Sequence, residues 1–273
     1  MTDIRHPAVA GRFYPGSEIE LRAMVEGMLA NVDAEPIPAF GAIVPHAGLI
    51  YSGECAAHVF KRLTMPPVVV ILAPNHTGRA DRRDQAAAWD RGFFETPFGN
   101  LQVAEEFLQQ LEMNTPLVAH DPSAHMFEHA VEVELPFLAL LSPETMVAPL
   151  VLGWDDWDHC KELADALTTT VSEWPQDVLL IASSDMTHFE TALTAARKDR
   201  GALDAIERFD GEGLLSYCHR ENVSMCGRAP SAVVLEATRS LGATRAEVVD
   251  YRHSGLVTGD DSDVVAYAGV LIT

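Results

Sequence analysis

Three stretches of the chain carry an apolar run straight into residues that can do chemistry. VLLIASSDMTHFE (178–190) ends its run in two serines, Asp185 and His188. FGAIVPHAGLIYSG (40–53) stops at Pro45 and presents His46, and VVVILAPNHTG (68–78) stops at Pro74 and presents His76. Imidazole is the commonest metal ligand and a metal site needs several, so two such histidines together point to metal more strongly than either does alone. Taken singly, each is equally well a turn histidine bonded to backbone. Asp185 and His188 form a DxxH pair. An aspartate beside a histidine fixes its tautomer and raises its basicity, which suits a supporting pair at a metal or a general base. The plainer alternative makes Asp185 the N-cap of the helix that follows.

A cysteine joins these residues. Cys226, in NVSMCGRAPSAVVLEATRSL (222–241), precedes Gly227 and a helix start near Pro230–Ser231. A helix N-terminus or a metal favours the thiolate, although a free cysteine is more often a small buried hydrophobe. The other cysteines, Cys55, Cys160 and Cys218, lie on helix patterns and read as buried thiols. In FEHAVEVELPF (127–137), His129 shares a helix start with Glu128 and Glu132. That HxxE spacing suits a metal or an oriented ligand, and it is equally ordinary N-terminal helix charge. His120 and His125 fall in a long connection, 114–128, and are candidates to lid a crevice. Arg12, Tyr14 and Tyr51 are candidate wall residues.

Elements must place these side chains together. Strands are predicted at 41–45, 68–73, 85–89, 146–152, 178–182, 246–250 and 264–272, rich in Val, Ile and Leu without alternation, as in strands buried on both faces. Helices are predicted at 17–30, 53–63, 101–111, 129–141, 157–172, 191–208, 211–219 and 230–241, the first with Ser17 and Glu20 as a capping box. RGFFETPFGN (91–100) reads as a loop. Strand–helix alternation predicts an α/β sandwich, and without a linker or repeat a single domain over 1–273. In open α/β sheets ligands bind at the carboxyl ends of the strands, so His46, His76, Asp185 and His188 converge if their strands run parallel.

Bulk properties narrow the function. The net charge of −21, with no basic stripe, disfavours nucleic acid and anionic membrane as partners. No apolar stretch approaches a bilayer span, no signal-peptide layout opens the sequence, and the expected location is cytoplasmic. Four scattered cysteines without CxxC spacing argue against a disulfide scaffold. No Walker loop, GxGxxG, HExxH or GxSxG occurs.

In order along the chain, HPAVAGRFYP, PHAGLIYSG, APNHTG, TPFG, EHAVEVELPF, SSDMTHF, CGRAP and SDVVAYAGV resemble the MEMO family, whose prokaryotic members include AmmeMemoRadiSam system protein B. The likeness spans residues 6–270. It implies a single αβα domain with a mostly parallel or mixed sheet, similar to the class III (LigB-type) extradiol dioxygenases, which are non-haem iron enzymes. Carried over, the metal ligands fall on His46, His76 and Cys226, the acid and supporting histidine on Asp185 and His188, and the near-site EHxxE segment on Glu128, His129 and Glu132. Two positions depart from some relatives, which carry histidine where this chain has Thr77 and Glu134. A thiolate in place of the carboxylate usual in such iron sites is a softer donor that also suits copper or zinc, so extradiol cleavage does not follow from fold alone.

The expectation is a mononuclear metal redox enzyme, iron(II) before copper or zinc, acting with dioxygen on a small molecule. The alternative is a non-catalytic metal- or peptide-binding protein that keeps a vestigial pocket; zinc-dependent hydrolysis is a third reading. The resemblance also implies radical-SAM and AMMECR1-like proteins as partners.

Overall fold

The computed structural model describes residues 3–273. In chain order the strands are β1 (Ile4–Arg5), β2 (Gly41–Val44), β3 (Val68–Pro74), β4 (Ala86–Ala88), β5 (Phe93–Thr96) and β6 (Gly99–Gln102). They continue as β7 (Val118–His120), β8 (Met146–Leu152), β9 (Val178–Ser183), β10 (His188–Glu190), β11 (Ala246–His253) and β12 (Val264–Ile272). The helices are α1 (Glu18–Ala30), α2 (Leu49–Phe60), α3 (Glu105–Asn114), α4 (Pro122–His125) and α5 (Leu135–Leu141). After them come α6 (Trp157–Glu173), α7 (Ala192–Glu207), α8 (Gly211–Glu221), α9 (Arg228–Leu241) and α10 (Gly255–Thr258).

The main sheet runs β10-β12-β2-β9-β3-β8-β4-β7, with β11 paired to β12. Its centre, β2, β9, β3 and β8, is parallel, and antiparallel partners flank it. β3 is buried at all seven positions, which explains its unalternated VVVILAP. Helices cover both faces, and two glycines show how closely. A Cβ on Gly41 would stand 2.9 Å from Thr238 of α9, and one on Gly269 would stand 2.7 Å from Val59 of α2. Ile272 pairs with Gly41 and Val270 with Ile43, so Gly269 lies on the opposite face from Gly41. The result is an α/β sandwich with α9 and α2 on its two sides. No helix among the described residues is long and apolar enough to cross a membrane.

The predicted central strands and most helices stand within a few residues of their observed ends. The exceptions have local causes. RGFFETPFGN is a hairpin, β5 and β6 joined across Pro97 and Phe98, with β1 alongside; four-residue strands are too short for their alternation to stand out. Gly99, at φ +119°, allows that turn. The helix expected at 101–111 therefore begins only at Glu105. α2 starts at Leu49, ahead of Gly53, because Gly53 is a packing position where Met28 of α1 presses within 2.6 Å of a Cβ site. The segment expected as one helix over 129–141 is a 3-10 turn at Glu132–Glu134 followed by α5. Ser17 is the N-cap of α1 but makes no side-chain capping bond.

Candidate metal centre

Parallel order at the sheet centre decides the site. β2, β9 and β3 are neighbours, and each sends a polar residue out two positions past its end: His46, Asp185 and His76. The segment before α5 brings His129 to the same place. One ligand atom from each of His46, His76 and His129 lies within 4.8 Å of the others. The His76 and His129 rings stack with centroids 4.6 Å apart, and His46 meets both edge-on at 5.1 and 5.4 Å. These three histidines can hold a metal ion.

Each imidazole is oriented from behind. His46 Nδ1 is 2.8 Å from Ser183 Oγ, the last residue of β9. His76 Nδ1 is 2.9 Å from Glu128 Oε1, and that same oxygen lies 3.3 Å from His129 Nδ1. With the Nδ1 atoms so engaged, the Nε2 lone pairs are the ones left for a ligand bond. Glu128 also accepts the backbone N–H groups of His76, Thr77, His129 and Ala130. Burial acts to raise its pKa, but the hydrogen bond from His76, the nearby His76 and His129 rings and the Ala130 amide prevail and hold it below the ordinary value, so it is an anion beneath the imidazoles. His46, His129 and His188 are all held below the ordinary histidine range, first by burial. Neutral imidazoles are what metal ligation needs. The donor set fits zinc, copper or iron.

Cys226 stands outside this mutual group but touches it, its Sγ 3.3 Å from His46 Nε2. Burial, and after it the Asp185 carboxyl, push the thiol pKa up, so a metal ligating it would displace a proton. A cleft of about 320 Å³ opens beside it, between the ends of β3 and β8 and the start of α9.

Asp185 does not pair with His188. Its Oδ1 accepts the backbone N–H of His46 at 2.9 Å and of Ala47 at 3.2 Å, fixing the turn that carries His46. Burial raises its pKa to about 7, against the pull of those two amides. His188 opens β10, donates its backbone N–H to Ser224 Oγ and has a buried Nδ1 with no partner. Glu132 of the EHxxE segment serves the scaffold. It accepts from the Arg5 guanidinium, the amides of Ala8 and Val9, and the hydroxyl of Tyr14. Arg5 also donates to the carbonyls of His125 and Glu128. The N-terminal segment is thereby fastened along the site, with Phe13 4.8 Å from the His129 ring.

His120 and His125 form no lid. His120 pairs with Asp90 at the surface, and His125 is buried with Nε2 on the carbonyl of Ala87. Ser183, Arg5 and Phe13 carried no signal of their own in the sequence, beyond Ser183 being a polar residue that closes an apolar run.

A family model described as Memo-like protein matches residues 5–271. The chain belongs to the Memo-like family. A MEMO1 family protein of Aquifex aeolicus is 37% identical over 269 residues, 98% of each chain. One from Methanopyrus kandleri is 36% identical over 280 residues, again 98% of each, and one from Methanosarcina acetivorans is 37% identical over 279 residues, 99% of each. The Memo-like match thus takes in every residue of the site, from Arg5 to Cys226.

Proposed function

We propose that this Memo-like protein is a mononuclear metal enzyme of redox type, with iron(II) as the first candidate metal and a small molecule as substrate. The observation that carries the reading is the convergence of His46, His76 and His129 within 4.8 Å, with the Cys226 thiol against His46. Bound there, a redox metal supplies electron transfer and open positions for small ligands. The protein supplies the rest. Glu128 and Ser183 aim the imidazoles, Asp185 pins the His46 turn, and the cleft beside Cys226 takes the substrate. In this reading His188, whose pKa burial lowers and whose Nδ1 has no partner, holds or passes a proton.

Elemental analysis of protein purified without oxygen tests this, with His129→Ala and Cys226→Ala beside the wild type. About one iron per chain, lost in both variants, is the expected result for a centre using imidazoles and thiol together. Loss in His129→Ala alone assigns the three-imidazole set. Wild-type protein that stays metal-free after iron, copper and zinc are offered sinks the proposal.

A second reading has its own observation. Phe127 and Phe189, next in sequence to Glu128 and His188, are exposed at 54% and 78%. Exposed apolar rings beside these residues suit a peptide held without turnover. That reading predicts metal or peptide affinity with no dioxygen consumption on any substrate offered.

A further inference from the structure

Behind the imidazoles lies a second carboxyl whose surroundings differ from those of Glu128. Glu134 is fully buried, and its Oε2 has no hydrogen-bond partner. Its Oε1 is 2.8 Å from Ser183 Oγ, which is itself fully buried. The same hydroxyl is 2.7 Å from the carbonyl of Ala130 and 2.8 Å from His46 Nδ1.

Counting donors around that oxygen decides the arrangement. A serine hydroxyl has one hydrogen to give and two lone pairs to fill. The Ala130 carbonyl can only accept, so the hydroxyl hydrogen goes there. The two remaining contacts must then both donate to Ser183: an N–H at His46 Nδ1 and an O–H on Glu134. The competing arrangement makes Glu134 a carboxylate and sends the hydroxyl hydrogen to it. That strips the Ala130 carbonyl of its partner and leaves a buried anion with one bare oxygen. No cation is among the groups acting on Glu134; besides Ser183 there is only the like-signed carboxyl of Asp185. An unpaired buried carboxylate is the costlier state.

We propose that Glu134 is a positioning residue for His46: as a protonated acid it donates to Ser183 Oγ, leaving that oxygen to accept the His46 Nδ1 proton and presenting Nε2 as the free lone pair. The consequence for metal affinity rests on the metal-site reading above; the hydrogen-bond arrangement does not. Because Ala130 follows His129, the one hydroxyl also ties the His46 turn to the segment carrying His129.

The test uses the full chain, first without metal. Nitrogen NMR of histidine-labelled protein reads the His46 tautomer, and infrared spectroscopy of wild type against Glu134→Gln reads a protonated carboxyl. The expected wild-type signatures are a protonated Nδ1, an unprotonated Nε2, and a carboxylic acid band that Glu134→Gln removes. Glu134→Gln, which keeps an N–H donor, preserves the tautomer; Glu134→Leu and Ser183→Ala mix it. Titration with zinc(II) then gives affinity about tenfold or more weaker in Glu134→Leu and Ser183→Ala, and close to wild type in Glu134→Gln. A wild-type His46 protonated on Nε2, or no acid band assignable to Glu134, overturns the proposal; so does a Glu134→Leu chain that binds zinc as tightly as wild type. Should the leucine variant fail to fold, the infrared and tautomer measurements on wild type and Glu134→Gln still decide. If no chain binds zinc while both signatures are present, the metal reading fails and the positioning of His46 stands.

Discussion

The two ends of the parallel strands offer a controlled contrast. At the amino end, a cleft of about 610 Å³ is lined by Phe40, Met65, Pro67, Trp174, Leu241 and their neighbours. At the carboxyl end, the cleft beside Cys226 is about half that size, about 320 Å³. Volume and apolar lining favour the first, while the cluster of His46, His76 and His129 lies at the second. A parallel sheet gathers the residues that follow several strands at one edge. Here those residues are His46, His76 and Asp185, whereas Phe40, Pro67 and Asp177, which precede the same three strands, bring no converging set of donors.

The largest expected effect is on metal content. Replacing His46, His76 or His129 by Ala removes a ligand and should lower zinc(II) or iron(II) affinity by more than about 100-fold, beyond what losing a supporting partner costs. Trp174→Ala at the other edge should leave the metal content at the wild-type level. Equal loss from both edges would break the contrast.

Next is the clamp that holds the N-terminal segment along the site. Arg5→Ala leaves Glu132 buried without its cation and should cost about 3–5 kcal/mol in urea unfolding. An unchanged midpoint would show that the amides and Tyr14 satisfy Glu132 alone.

Acid should weaken the same region through His125. Burial lowers its pKa to about 4 in the folded chain, against about 6.5 when unfolded. A depressed folded value means full stability above pH about 6.5, lost as pH falls towards about 4, to a total of about 3 kcal/mol. Comparing unfolding at these two pH values in wild type and His125→Gln checks this; the variant should lose that share of the acid sensitivity.

The smallest effect expected is at Glu128. Glu128→Gln keeps the side-chain shape and one acceptor oxygen but removes the anion under His76 and His129. Metal affinity should fall about 10–100-fold, and titration that finds no change would reduce Glu128 to a backbone brace.

The chain order of residues was enough to establish the alternating α/β plan, the buried central strands and the strand-end position of His46, His76 and Asp185, because apolar runs and their punctuation are local signals. The motifs carried the family as well. Partner choice was beyond that reading. HxxE at His129 looks the same whether it serves a helix start or a metal, and only the folded chain shows Glu128 turning to His76 while Glu132 turns to Arg5. Asp185 sits three residues from His188 yet bonds to His46 and Ala47, since after β9 the chain crosses the edge of the sheet and β10 pairs on the far side of β12. Ser183 and Glu134 are 49 positions apart and meet only because the segment from Ala130 to the 3-10 turn carrying Glu134 folds against the end of β9. Periodicity records which residues are buried; which buried donor meets which acceptor depends on distances set by the packing of segments remote in sequence.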